Sequence, residues 1–495
     1  MRKVFDIAAV VIIASLAILI HGYHLGSDDA AIYVPAIKQV ADPALFPFGS
    51  EFFLHHARLS LFPNLIGDSG RLLRLPIDWI LFLWHSFSLV LLLLAARQLL
   101  RVCFASRRAE WAGVALLAAL LTVPVAGTAL VIMDPYLTAR CLSTPAALFA
   151  VACFAAGHYR RAILWLLFTV LIHPQMGFYG AAFLGTLALS PWIARWVKRG
   201  PGLAAPAIIP WSFGFAPAHG VYRDVLFSRS YFFVSRWEWF EWVGVVAPLL
   251  LLWWFWRKDF AGTLPPFRRL SGGLVLFGVG FTAVGVVLAS SPHFESFARL
   301  QPMRSFHLLY VVFFVFLGGL LGDHLLRNRA WRWCGFFLPL AAGMWILQAQ
   351  AYPASAHVEW PGAAYQSGWP SAFVWIRGHT PKDAIFALDP NYMAIAGDDR
   401  HGFRAVAERS VLADNLKDSG AVSLFPQLAD DWKSQVTAQQ GWRNFVLEDF
   451  QKLAARYGVS WVVLERAQGT RGLVCPYRND AVSVCRLGPA VAIRP

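Results

Sequence analysis

The chain has 495 residues, 57% of them hydrophobic and only 15% charged, with a mean hydropathy of +0.51, values that exclude an ordinary soluble globular protein. The net charge of +14 sits almost wholly before residue 350: 28 Lys and Arg stand against 15 Asp and Glu through residue 349, then 15 against 14. That excess is placed to set membrane topology and to meet anionic lipid, and the near-neutral remainder carries no basic stripe for nucleic acid.

The first apolar run, 4–23, follows Arg2 and Lys3, which puts the N-terminus on the cytoplasmic side. Ile20-His21-Gly22-Tyr23 lacks a small-residue cleavage pattern, so the run reads as an uncleaved span. Ser27-Asp28-Asp29 opens a loop (24–76) of roughly fifty residues, too long for a plain connector. Within it Ile32, Tyr33, Ala36, Ile37 and Val40 recur at helical spacing, with Lys38, Gln39 and Asp42 opposite. The pattern predicts a juxtamembrane helix lying in the interface. His55, His56 and Arg58 follow among aromatics at headgroup level.

Spans are expected next at 77–100, 111–133 and 140–158. The segment 162–193 lies between two basic clusters and breaks at His173-Pro174 into two helices, the first of them short. Further spans fall at 201–217, which carries four prolines, and at 243–256, 271–290, 306–321 and 333–348. The expected fold class is therefore a polytopic α-helical membrane protein with about eleven transmembrane helices, N-terminus inside and C-terminus outside. The transmembrane domain would take residues 1–349. Residues 350–495 would form a small extracytoplasmic α/β domain, with helices at 369–378, 422–439 and 447–457 and strands at 384–388, 459–464 and 482–487. Cys475 and Cys485 would close a hairpin by a disulfide in an oxidising compartment.

Four features share the expected external side: Asp28 with Asp29, Asp134 with Arg140, His173, and the pair Arg299 and Arg304. Carboxylates and guanidinium groups at one membrane face suit a reaction between an acceptor hydroxyl and a phosphate-linked donor held by a lipid. A carboxylate takes the hydroxyl proton, and arginine forks hold phosphate oxygens. Plainer roles stand beside these. Asp28 and Asp29 also suit a helix N-cap, Asp134 a turn before Pro135, Arg140 snorkelling, Arg299 and Arg304 headgroup contact, and His173 a buried hydrogen bond.

The layout resembles the GT-C superfamily of integral membrane glycosyltransferases, which use polyprenyl-phosphate-linked sugars. The resemblance rests on Ser27-Asp28-Asp29 with Tyr33 and Pro35, on Asp134, on Arg299 and Arg304, and on the helix-turn-strand pattern from Trp375 to Phe386. It implies a transferase with Asp28 or Asp29 as catalytic base and Asp134, Arg140, His173, Arg299 and Arg304 binding substrate. The partners it implies are a polyprenyl-phospho-sugar donor and a saccharide, lipid or protein acceptor. The place is a bacterial-type cytoplasmic membrane. A divalent metal cofactor is left open, with Asp28 and Asp134 as its ligands. The alternatives are a lipid or polysaccharide flippase and a non-catalytic envelope-assembly protein of the same architecture.

Overall fold

The computed structural model describes residues 2–198 and 217–487. The chain divides into two compact units. One gathers Met1–His21, Ser86–Asp134 and Ala139–Trp345, the other Gly22–His85, Pro135–Thr138 and Ile346–Pro495. The change of composition near residue 350 marks only one of these junctions, because the first loop joins the C-terminal residues and not the apolar unit.

Among the described residues six stretches are long and apolar enough to cross a membrane: Val4–His21, Ile77–Cys103, Trp239–Arg257, Pro265–Ala289, Pro292–Leu326 and Ala330–Ala351. The helices Arg107–Ala119, Ala139–Ala155 and Tyr159–Ile172, with 13, 17 and 14 residues, fall short of the roughly 20 that a bilayer needs. The expected span at 201–217 lies, except for Pro217, outside the described residues.

The expected helix at 111–133 is corrected most. Ser106 caps its start, its hydroxyl accepting the Ala109 N–H at 3.1 Å, and the helix ends at Ala119. Pro124 cannot donate to a helical ladder and biases the residue before it to extended backbone, so the chain leaves the helix here. It turns into a hairpin of β1 (Pro124–Val125) and β2 (Leu130–Val131), paired antiparallel. Gly127 makes the turn at φ +64, where a Cβ would lie 2.4 Å from the Trp237 ring.

Small residues let the helices of the apolar unit approach closely. A Cβ on Gly318 would come 2.6 Å from the Gly113 Cα, so the helices Arg107–Ala119 and Phe306–Leu321 pack backbone to backbone there. Asp6 accepts from Arg97 at 2.5 Å and Arg107 at 2.7 Å, and Glu110 accepts from Arg101 at 3.0 Å, tying together the first helix and its two neighbours.

The second unit is built on a five-stranded sheet of β3 (Ile385–Ala387), β4 (Ser410–Val411), β5 (Trp461–Glu465), β6 (Val474–Arg478) and β7 (Val482–Arg486). The order is β4-β3-β5-β7-β6. Pairing is parallel on both sides of β3 and antiparallel from β5 outward. Alternation along β5 sends Trp461 and Val463 to one face and Val462 and Leu464 to the other. The first face packs on the helix Gly368–His379 through Trp369, Phe373 and Ile376. The second packs on the helix Leu447–Tyr457 through Phe450 and Leu453.

The first loop is mostly helical in this unit, with helices Ala30–Ala41, Glu51–Ala57 and Phe62–Leu73. The helix Ala30–Ala41 is buried on both faces and does not rest on an interface by one. Its apolar side carries Ala36 and Ile37, and the opposite side carries Lys38, 3% exposed between Glu408 at 2.8 Å and Asp78 at 3.3 Å.

Candidate functional site

In the second unit the chain enters the helix Ala30–Ala41 through a strained corner. Asp28 sits at φ +48, a left-handed conformation that non-glycine residues adopt mainly as Asn or Asp. Its N–H donates to the Arg400 carbonyl at 2.8 Å, and its carbonyl accepts from Ala31 at 3.0 Å. Asp29 is the N-cap residue, yet its side chain caps nothing. Both carboxylates turn instead to one ammonium: Lys417 Nζ donates to Asp28 Oδ1 and, at 3.0 Å, to Asp29 Oδ1. The two acids are about one third exposed, whereas the lysine side chain is 13% exposed. Burial alone would lower the lysine. The adjacent Asp29 and Asp28 outweigh it and hold Lys417 well above its ordinary value, fully charged.

Lys417 is presented by a loop that two buried acids fix. Asp414 is buried and accepts the N–H of Leu416 at 2.7 Å and of Lys417 at 2.6 Å. Asp418 takes both arms of the Arg404 guanidinium, at 2.8 and 3.1 Å. Burial first, and Asp418 second, push the Asp414 carboxyl up to about 6. Lys417 and Asp414 also line a small crevice with Asp389 and Pro390. The latter two are shared with a larger open cleft of about 730 Å³. Its walls are amide- and hydroxyl-rich, including Asn391, Asn415, Thr437, Gln440 and Asn444, with Lys433 beside them.

In the apolar unit Asp134 and Arg140 form a buried pair, with Arg140 Nη2 at 2.8 Å and Nε at 3.2 Å from one carboxylate oxygen. The β1–β2 hairpin sets this up by carrying the chain to Asp134. Just after the hairpin, the Ile132 carbonyl meets His307 Nε2 at 2.9 Å. His307 lies within electrostatic reach of both Arg140 and Arg304, which brings those three residues to one region of the unit. Arg304 stacks on Tyr231, its guanidinium carbon 5.5 Å from the ring centre. The segment before it is pinned at Gln301, at φ +51, whose carbonyl accepts from Tyr179 at 2.7 Å and from the Arg304 N–H at 2.9 Å. Arg299 stands beside Tyr222: burial raises that phenol above its ordinary value, and Arg299 works against the rise. His173 is buried in extended backbone, between the helices Tyr159–Ile172 and Pro174–Lys198.

The sequence-predicted residues thus fall into two groups: Asp28 and Asp29 in one unit, and Asp134, Arg140, His173, Arg299 and Arg304 in the other. Sequence reasoning missed Lys417 and the cleft. The only signal was the Asp414-Asn415-Leu416-Lys417-Asp418 run, whose composition predicts a turn and no partner. Among the described residues no group of three His, Cys, Asp or Glu side chains is arranged to hold a metal ion. At Asp28 the facing group is an ammonium, and at Asp134 it is a guanidinium, so neither carboxylate as folded fits a cation ligand.

Several apolar helices of spanning length, joined to a sheet-bearing unit, define a multi-pass membrane protein. No family model matches the chain, and no curated protein matches it. Among solved structures it is similar to the Archaeoglobus fulgidus oligosaccharyltransferase, a GT-C glycosyltransferase, crystallised tethered to an acceptor peptide containing the NVT sequon. The identity is 13% and the TM-score 0.43, with 94% of this chain and 69% of that chain covered.

Proposed function

We propose that this chain is a membrane glycosyltransferase that moves a sugar from a polyprenyl-phosphate-linked donor to an acceptor hydroxyl at the external leaflet. The observation that carries the reading is the Asp28–Asp29 pair. Two carboxylates are fixed at a left-handed corner and held by a charged lysine, and Lys417 and its neighbours connect them to a polar cleft. A cleft of amides and hydroxyls suits an acceptor rich in hydroxyl groups, which need many moderate hydrogen bonds.

In this reading Asp28 or Asp29 takes the proton of the attacking hydroxyl. The acceptor oxygen forms its bond to the anomeric carbon while the bond from that carbon to the phosphate oxygen breaks. The electron pair leaves with the polyprenyl phosphate, and the anomeric configuration inverts. Arg299 and Arg304 neutralise the leaving phosphate. Arg140 has its fork turned to Asp134, so its part is to hold that carboxylate. The chain would cross a bacterial-type cytoplasmic membrane several times and end outside, the orientation that the distribution of Lys and Arg supports.

The test is transfer by membranes carrying the protein, measured with a panel of labelled polyprenyl-phospho-sugars. Removal of a general base costs about 10²- to 10⁴-fold. One of the single variants Asp28→Asn and Asp29→Asn should lose that much, and the double variant should lose all transfer at unchanged expression. Full transfer by the double variant would overturn the assignment.

A further inference from the structure

We propose that Lys417 is the resident cation of the Asp28–Asp29 pair, occupying the position at which a divalent ion would otherwise bridge the two carboxylates. Adjacent carboxylates repel one another, and a cation beside them, drawn either from solution or from the chain, relieves that repulsion. Here the chain supplies it, since one ammonium reaches an oxygen of each acid. A solution ion such as Mn²⁺ takes six or so oxygens in its shell. At this corner it would have to displace the ammonium or sit against its charge, with only two carboxylates to offer among the described residues.

The ammonium is not a wandering surface lysine. Its main-chain N–H is bound to buried Asp414, and the next residue, Asp418, is locked to Arg404 by two hydrogen bonds. Lys417 also begins the helix Asp418–Leu424, so its stem leaves from a fixed point. The first loop and the C-terminal residues are thereby joined by a pair 389 positions apart, inside one compact unit. Lys417 would hold this place whichever reaction the site runs, because its contacts to both acids are made within the chain and need no substrate.

Mn²⁺ titration of the full-length protein in detergent, followed by the electron paramagnetic resonance signal of the free ion, tests it. The wild-type protein should bind no more Mn²⁺ than Asp28→Asn/Asp29→Asn. Lys417→Met, which keeps the methylene stem, should gain one site at least tenfold tighter than any in the wild type. That site should vanish when both acids are also changed to Asn. Lys417→Arg, which keeps a cation, should gain none. A wild-type site that is lost in the Asn pair would overturn the inference, and so would a folded Lys417→Met protein that gains nothing. The wild-type comparison decides alone if Lys417→Met does not fold.

Discussion

At the scale of single residues, the second unit is held by charges that sequence reasoning would place in water. Lys38 lies between Asp78 and Glu408, and Arg377 faces the same two acids at 3.3 and 3.4 Å. Burial would lower Arg377, but Asp78 and Glu408 outweigh it and raise it. Two cations and two carboxylates therefore balance, and the loss of one leaves a buried charge with no counterpart. Such a loss costs about 3–5 kcal/mol, whereas removal of a balanced pair costs far less. Lys38→Met should accordingly lower the melting temperature of the solubilised protein sharply, and Lys38→Met/Glu408→Gln should recover much of the loss. A double variant no better than the single one would show that the site is not a balanced charge cluster. Read from its own helix alone, Lys38 belongs to a polar face, because its partner Glu408 lies 370 positions along the chain.

At the scale of elements, strand β6 is, among the described residues, the edge of the sheet and pairs only with β7, through an irregular register. The bond between Cys475 and Cys485 staples it there across a separation of ten residues. A closed loop of that size contributes about 2–3 kcal/mol by restricting the unfolded chain. Cys475→Ser/Cys485→Ser should lower stability by that order. In hydrogen exchange it should free the β6 amides before those of β5 and β7. Equal exchange across all three strands would place the staple's effect elsewhere. Strands β5 and β7 and the helix Leu447–Tyr457 were legible in the sequence, whereas β6 was expected only as one arm of a disulfide-closed hairpin. Phe450 and Leu453 give the helix a clear face, Gly458 stops it at φ +72, and Trp461–Glu465 is a nearly continuous apolar run. The expected helix at 422–439 was legible only in part, since Pro426 splits it into Asp418–Leu424 and Ala429–Ala438. The β1–β2 hairpin was misread because apolar content near a membrane looks the same in a helix and in a short buried strand. Pro124 and Gly127 were the signal. Of the candidate site, the acids were legible as adjacent charges at a helix start. Lys417 was not, because no local pattern encodes a contact between residues so far apart in sequence.

At the scale of the molecule, the second unit is assembled from three separate stretches of chain, and His24 sits where they meet. Its N–H donates to the Pro135 carbonyl at 2.8 Å, and its ring stacks on Tyr352 with centres 3.6 Å apart. Beside it the Tyr23 N–H donates to the His357 carbonyl, and the Tyr23 carbonyl accepts from Glu359, a bridge centred on Val358. Both ring nitrogens of His24 are buried without a hydrogen-bond partner. Burial, then the neighbouring His401 and His357, lower His24 from 6.5 to about 3. The sign follows from linkage: the folded unit refuses a proton that the unfolded chain accepts, so the stabilisation is complete above pH 6.5 and is lost as pH falls toward 3. Each tenfold difference in proton affinity between folded and unfolded chain is worth about 1.4 kcal/mol, so the loss is on the order of a few kcal/mol. Asp414 acts oppositely, because its carboxyl is raised from 3.8 to about 6 and its contribution is lost as pH rises through that value. Asp398 and Asp399, also raised, act with Asp414, so the raw acid dependence is a sum of opposed slopes, and a non-titrating replacement isolates one. His24→Phe keeps a ring to stack on Tyr352. Between pH 7 and pH 4 its melting temperature should fall less than that of the wild type, with the two curves diverging below about pH 6.5. Parallel curves over that range would assign the acid sensitivity of the unit to groups other than His24.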